Sequence, residues 1–424
     1  MNAHAPTDVQ RRGACPGLSA PMATGDGLLV RFSPIGTISL AAFGALCDAA
    51  RRYGNGIIEI TARGNIQVRG LSAASAPEFA DAMAELAIGA DGGVPVICDP
   101  LAGLDPQELI DAGKLAADLR DALARSSLVS RLSPKVSVVI DGGGAHRLDG
   151  LAADIRARAI QTNDGKSLVI ETAGHELGSI ALSDTVAAVT RLLEVVTRHG
   201  REARARDVIS AEGTAAFRAA IADLLNLVRP TRGGNEQPSI GAWRLHDGSL
   251  ACGIALPFGH TDAASLQRLT DAAEIAGAHG FRTAPGRTLL AIGLPEKTAE
   301  SLVSAAKTLG FIVDAGDPRR HVVACAGAPI CGAAHISARA LGPQIAAATA
   351  PFLDGTFKIH VSGCAKGCAH PSPAALTIVG TEAGCALVAN GSARDTPFMT
   401  VATNGLADKA AEIARNIKSG AHHV

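Results

Sequence analysis

Apolar positions alternate along the run GDGLLVRFSPIGT that begins at Gly25, recur every three or four residues through SLAAFGALCDAARRYG, and alternate again through IIEITARGNIQVRGL. A period near two marks a half-buried strand and one near 3.6 an amphipathic helix, so this stretch predicts strand, helix, strand, with a hairpin break at Gly64 and Asn65. The same order returns at Asp247 as DGSLACGIALPFGHT, DAASLQRLTDAAEIAGAHG and FRTAPGRTLLAIGL. Asp26-Gly27 matches Asp247-Gly248, Asp48-Ala49-Ala50 matches Asp271-Ala272-Ala273, and Thr61-Ala62 matches Thr283-Ala284. Self-similarity over such a span predicts an internal duplication.

Each copy leads into a longer mixed segment. The first contains a helix with Leu115, Leu119 and Leu123 on one stripe, the strands VSVVIDGGG and SLVIE, and a helix burying Val186, Val189, Leu193 and Val196. Ser183 or Asp184 caps that last helix and Gly200 stops it. Gly142-Gly143-Gly144 reads as a hairpin or close-approach loop, and no GxGxxG follows a strand, so a Rossmann unit is not expected. Residues 229–239 (RPTRGGNEQPS) form the break between halves. The second segment starts near Asp317 and ends in a helix from about Leu406 to Lys418.

The predicted organisation is therefore an extension (1–25), a small unit (26–88), a larger α/β unit (89–228), a linker (229–240), a second small unit (241–300) and a second larger unit (301–424). The fold class is mixed, α+β in the small units and α/β in the large ones.

Composition narrows the function classes. With 47% apolar and 19% charged residues and a net charge of −1, the chain is neither disordered nor built for a polyanion, so nucleic acid is not an expected partner. One Trp, one Tyr and ten Phe leave a core of Ala, Leu, Val and Ile. Residues 1–20 lack an apolar signal region and no run of eighteen apolar residues occurs, which predicts a cytoplasmic protein with no membrane partner.

In a reducing compartment the nine cysteines read as ligands, reactive thiols or small hydrophobes. Cys15, Cys47, Cys98, Cys252 and Cys385 stand alone and are expected in the core or to be incidental. The other four come in pairs. Cys325 and Cys331 follow the strand-like run His321–Ala324, and Cys364 and Cys368 follow Phe357–Val361. Four thiolates at two strand ends can converge on an iron-sulfur cluster or on zinc. Their wide Cys-x5-Cys and Cys-x3-Cys spacing, in a large unit, favours the cluster over a small zinc knuckle.

That pattern, in the last quarter of a duplicated chain, resembles the sulfite/nitrite reductase superfamily with sirohaem and a 4Fe-4S cluster, as does the run from Arg63 to Gly70 (RGNIQVRG). The resemblance implies two ferredoxin-like half-domains alternating with two larger α/β domains, with all four cysteines on one cluster. Reductases of this type also grip a small anion with two Arg and two Lys. Here Arg63 and Lys135 match one of each, whereas Val94 or Pro95 and Ser137 stand where the others would be. The runs from Arg11 to Arg31 and from Ser362 to Gly380 are similar instead to the precorrin-3B synthase family of that superfamily.

This second resemblance implies oxygen-dependent hydroxylation of precorrin-3A at C20 with γ-lactone formation in cobalamin biosynthesis. Its implied cofactors are a 4Fe-4S cluster and a mononuclear non-haem iron, with NADH as an indirect electron donor acting through a separate reductase or carrier. Sirohaem is expected only for the alternative, a reductase with an altered anion site; a zinc-bearing interaction protein is the third reading. Carboxylate arms of such a substrate call for cations, and Arg31, Arg63, Arg69, Lys135, Arg282 and Arg287 are the candidates. Lys366, between two presumed ligands, and Asn65, at the hairpin, are candidate supporting residues, and His370 is the candidate catalytic or iron-binding histidine.

Overall fold

The computed structural model describes residues 16–86, 88, 93–163, 165–226 and 239–420. Cys15, residues 11–15 of the Arg11–Arg31 run and nearly all of the expected 229–239 break lie outside them.

The first small unit contains β1 (Met22–Thr24), β2 (Gly27–Phe32), β3 (Ile38–Ser39), α1 (Leu40–Tyr53), β4 (Ile57–Ile60), β5 (Ile66–Leu71) and α2 (Ser75–Glu85). The first larger unit contains β6 (Val96–Cys98), α3 (Ala112–Ala124), β7 (Val138–Asp141), β8 (Ile155–Thr162), β9 (Gly165–Thr172), β10 (His175–Ile180), α4 (Thr185–Thr197), α5 (Ala205–Glu212) and α6 (Ala215–Ala220). The second small unit contains β11 (Gly241–Arg244), β12 (Leu250–Ala255), β13 (His260–Asp262), α7 (Ala263–Ile275), β14 (Gly280–Ala284), β15 (Thr288–Leu294) and α8 (Glu296–Thr308). The last unit contains β16 (Val322–Ala324), α9 (Ala338–Thr349), β17 (Ile359–Ser362), β18 (Ala374–Thr381), β19 (Gly384–Gly391), β20 (Met399–Val401) and α10 (Leu406–Lys418).

The two small units have the same element order and are interlocked. Their sheets run β1-β2-β5-β4-β13 and β11-β12-β15-β14-β3, so each unit lends its short third strand to the edge of the other's sheet. That strand leads into a helix through a side-chain cap in both copies: Ser39 Oγ accepts from Ala42 N at 3.2 Å, and Asp262 Oδ1 accepts from Ser265 N at 2.8 Å. Period-two alternation turns Val30, Phe32, Ile58, Ile60, Ile66 and Val68 inward, where they share one core with α1, α2, α7 and α8. Phe43 on α1 meets Phe281 on β14 with ring centroids 4.9 Å apart, joining the copies directly. The core reaches past residue 300, where the second small unit was expected to end, because Ala299, Leu302 and Ala306 of α8 belong to it. The first sheet also takes in β1, inside the expected extension.

The larger units are duplicates as well. In β6-β7-β8-β9-β10 and β16-β17-β18-β19-β20 the first two pairings are parallel and the next two antiparallel. Expected helix faces are found in place: Leu119 and Leu123 on α3, and Val189, Leu193 and Val196 on α4, are fully or almost fully buried. Cys47, Cys252 and Cys385 are buried in apolar cores as expected of lone cysteines, and Cys98 is half-buried at the end of β6. Among the described residues no helix is long and apolar enough to cross a membrane.

Because both small units share one core, Phe281→Ala should lower stability by about 3–5 kcal/mol. Denaturant unfolding followed by circular dichroism should show the loss for the fused pair of sheets as one transition. A midpoint unchanged from the wild type would contradict the shared core.

Candidate metal centre

The parallel pairing of β16 with β17, in register Val322 with Ile359, brings the two loops after these strands to one edge of the sheet. Cys325 N donates to Val361 O at 3.1 Å, and the loops are then stitched together by His335 N donating to Gly363 O at 2.8 Å. Within the first loop Cys331 N donates to Gly327 O at 2.8 Å, and in the second Ser362 Oγ donates to Cys364 O at 2.7 Å. Gly363 has no room for a side chain: a Cβ there would lie 2.6 Å from Ala334 Cβ and 3.4 Å from Cys325 Sγ. Its N–H donates to Cys325 Sγ at 3.0 Å.

None of the four cysteines is in a disulfide, and their thiols lie within electrostatic reach of one another. Burial pushes the Cys325 thiol up, the Gly363 and Gly327 N–H groups oppose that, and Cys331 and Cys368 add to it. Burial also raises Cys368, with Cys364 and Cys331 adding to the shift and the Lys366 and Arg394 charges opposing it. Cys325 and Cys368, which resist ionising, are donors a cationic metal core would satisfy, since binding releases the thiol protons and supplies the missing counter-charge. Among the described residues no three Cys, His, Asp or Glu side chains close round a single ion. A cluster that takes one thiolate per corner holds its ligands farther apart than a lone ion does, and thiols spread over two loops are compatible with such a cluster.

The cysteine loops rest on the polar face of the first sheet. A Cβ on Gly25 would lie 2.7 Å from Ile330 O and 2.8 Å from Pro329 O, so the β1–β2 hairpin meets the first loop backbone to backbone. The alternation that buries Val30, Ile58 and Val68 sends Arg31, Glu59, Gln67 and Arg69 to the opposite face. There Arg31 donates to Gln67 at 2.7 Å, Gln67 donates to Glu59, and Arg339, at the start of α9, pairs with Glu59. Arg69, only 5% exposed, pairs with Asp26 at 3.3 Å and lies 3.8 Å from Glu59. Arg69 is thus neutralised by two carboxylates rather than held open for a ligand. Arg339 and Arg394 complete the surroundings of the loops and escaped sequence reasoning, since neither sits in a motif of its own.

The remaining candidates divide by location. Arg63 crosses to the first larger unit, its Nη2 donating to Ala152 O at 2.5 Å and its Nη1 to Ser137 Oγ at 3.4 Å. Asp154, the nearby carboxylate, is already held in a fork by Arg204 at 2.7–3.1 Å. Arg63 lines a cavity of about 200 Å³ together with Ser33, Asn65, Cys98, Arg120 and Arg282. Asn65 serves the turn, accepting from Ser33 Oγ while its backbone pairs with Thr61. Arg282 straps β14 to the loop after β6, donating to Thr37 Oγ1 at 2.8 Å and to the Pro100 and Ala102 carbonyls at 3.2 and 2.9 Å. Lys135 and Lys366 are exposed, Lys135 on the approach to β7 and Lys366 between the paired thiols. Arg287 lies in the β14–β15 turn, and its charge reaches His360 and His370. Among the described residues the charged neighbours of His370 are Lys358 and Arg287, with no carboxylate, so these surroundings do not fit a centre of two His and one carboxylate.

In the first half the positions equivalent to Cys325 and Cys364 carry no thiol. Val96 pairs with Val138 as Val322 does with Ile359, which puts Asp99 in the place of Cys325 and Gly142-Gly143-Gly144 in that of Gly363-Cys364-Ala365. The glycines let buried carboxylates approach: a Cβ on Gly144 would lie 2.4 Å from Asp105 Oδ2 and 3.5 Å from Asp99 Oδ2. Burial raises the Asp99 carboxyl to about 8, opposed by the Leu101 N–H and reinforced by Asp141, Asp105 and Glu108.

Comparison with known proteins agrees with this geometry. Residues 20–86 match the model of the nitrite/sulfite reductase ferredoxin-like half domain. The Mycobacterium tuberculosis NirA protein superposes with a TM-score of 0.78 at 19% identity, over 94% of this chain and 81% of that one. A ferredoxin-nitrite reductase of Synechococcus elongatus is 24% identical over 82% of this chain and 75% of its own length. Fold, duplication and paired-cysteine edge together define a protein of the sulfite/nitrite reductase class. A precorrin-3B synthase of Sinorhizobium sp. is 38% identical over 96% of this chain and 89% of its own length. The chain belongs to the precorrin-3B synthase family.

Asp99 makes the first half sensitive to pH. A carboxyl that titrates near 8 when folded and near 3.8 when unfolded keeps its proton in the native state, so its contribution to stability declines as pH rises from about 4 to 8. Asp99→Asn retains an acceptor for Leu101 N and cannot ionise. It should melt with the wild type below about pH 4 and above it by a margin that widens as pH rises, reaching several degrees by pH 8; a difference in melting temperature that does not change with pH would contradict the assignment.

Proposed function

We propose that this chain catalyses the precorrin-3B synthase reaction, hydroxylating precorrin-3A at C20 with molecular oxygen and forming the γ-lactone. The observation that carries the proposal is the joining of four thiols at one sheet edge, against the polar face of the duplicated core, in a chain alike over nearly its whole length to a named precorrin-3B synthase. Cys325, Cys331, Cys364 and Cys368 would hold the 4Fe-4S cluster, which supplies one-electron transfer when bound. Gly363 keeps the loops close and gives its N–H to Cys325 Sγ, while Lys366 and Arg394 favour the thiolate form of Cys368. NADH is the ultimate donor, and electrons arrive through a separate reductase or carrier.

The substrate is a tetrapyrrole fringed with carboxylates. Arg63 suits one of its arms: it is held in place through Ala152 O and Ser137 Oγ, and the one carboxylate that acts on it among the described residues, Asp154, is already forked by Arg204. The cavity beside it, about 200 Å³, is smaller than the roughly 300–1,000 Å³ that encloses a whole drug-sized ligand, and so suits an arm rather than the macrocycle. Ser137, where a reductase would place a lysine, lowers the positive charge available to a small oxyanion. This favours the tetrapyrrole substrate over sulfite or nitrite.

Anaerobically purified protein given precorrin-3A, oxygen and a reductant should yield a product with one added hydroxyl oxygen and a γ-lactone by mass spectrometry. A sirohaem-type red absorption band with sulfite or nitrite reduction and no such product would establish the reductase alternative. Arg63→Ala should raise the KM for precorrin-3A about tenfold, the size of one lost charge-assisted hydrogen bond. An unchanged KM would remove Arg63 from the substrate site.

A further inference from the structure

The duplication places a second hairpin tip beside the cysteine-bearing unit. The β4–β5 turn that carries Arg63 and the β14–β15 turn that carries Arg287 touch each other, with Gly286 N donating to Ala62 O at 3.0 Å. A Cβ on Gly64 would lie 3.0 Å from the Ala284 carbonyl carbon. Arg63 reaches Ser137, one residue before β7. By the register of the parallel pairs, Lys358 takes the place of Ser137 in the last unit and His360 that of Val139. Arg287 is the cation that the second turn brings to this strand, and its charge is felt by His360 and His370.

The backbone here is strained. Arg287 has φ 67° and Phe258 φ 56°, both left-handed conformations that side chains other than glycine rarely adopt. The Arg287 stem passes over Gly259, where a Cβ would lie 2.6 Å from its Cδ. Strain kept at two neighbouring non-glycine residues is a mark of a functional turn. No carboxylate among the described residues pairs with Arg287, and burial lowers its pKa with no acid to oppose the shift.

His360 supplies the independent observation. It is 0% exposed, and neither Nδ1 nor Nε2 has a hydrogen-bond partner. Its ring lies 5.7 Å from that of His370, edge to face, and Gly367 of the second cysteine loop is packed beside it. A fully buried imidazole with both nitrogens unpartnered is costly unless a ligand completes it. The surrounding charges decide what kind. Arg287 and Lys358 are cationic, and among the described residues no carboxylate faces them, so the site repels a metal cation and attracts an anion. A guanidinium fork with imidazole N–H donors matches a carboxylate.

We propose that Arg287, His360 and His370, with Lys358, form a second carboxylate subsite, which binds another arm of the tetrapyrrole next to the cysteine loops. This subsite rests on the tetrapyrrole function proposed above.

Its test is a fluorescence titration of the cluster-loaded protein with uroporphyrin III, an octacarboxylate tetrapyrrole, alongside thermal melting of each variant. Arg287→Gln and His360→Leu should each weaken binding about tenfold or more. His360→Leu should also raise the melting temperature, because it removes an unpartnered polar group, and it decides the matter should Arg287→Gln not fold. Wild-type protein that does not bind uroporphyrin III would overturn the tetrapyrrole function and the subsite with it. Tight wild-type binding left within twofold by His360→Leu would overturn the subsite alone.

Discussion

The parallel pairing of β16 with β17 is the constraint on which the rest of the site depends. It sends both thiol-bearing loops off the same sheet edge, where backbone hydrogen bonds and the bare Gly363 let them close on each other. A one-residue slip of either strand would turn its loop toward the α9 and α10 side and separate the thiol pairs. The apolar contacts of Ile359 and Val361 with that helical layer fix the register, so hydrophobic packing on one face positions the four thiols at the edge.

Duplication explains how the remaining parts are supplied. Two small units exchange edge strands and share a core, which makes a rigid base with a polar face for the cysteine loops and two hairpin tips for the larger units. The larger units have the same sheet, yet one edge carries four thiols and the other a group of buried carboxylates around glycines. The same backbone thus holds a thiol-bearing edge and a proton-holding edge. Their difference lies in side chains such as Asp99 and Cys325, not in topology.

Much of this was legible in the sequence because it depends on local pattern. The repeat marks fall at equivalent places, Asp26-Gly27 and Asp247-Gly248 each in the first hairpin turn of its unit, and Asp48 and Asp271 at the same turn of α1 and α7. The last helix begins and ends where its apolar stripe does. The strand exchange was hidden, since Ile38–Ser39 is too short to carry a period. Sequence also does not say which cations are already paired. Arg69 and Arg282 look like Arg63 along the chain, but Asp26 neutralises one and carbonyl oxygens hold the other. His360 is one of four histidines near the cysteine segment, with His321, His335 and His370, and no spacing singles it out; its unpartnered nitrogens are visible only in the fold.

The Mössbauer spectrum of anaerobically purified protein addresses the metal centre most directly. Four thiols at one edge predict the signature of a single 4Fe-4S cluster, lost when Cys364 is replaced by serine. Protein that is free of iron and carries zinc, or a cluster that survives Cys364→Ser unchanged, would contradict it.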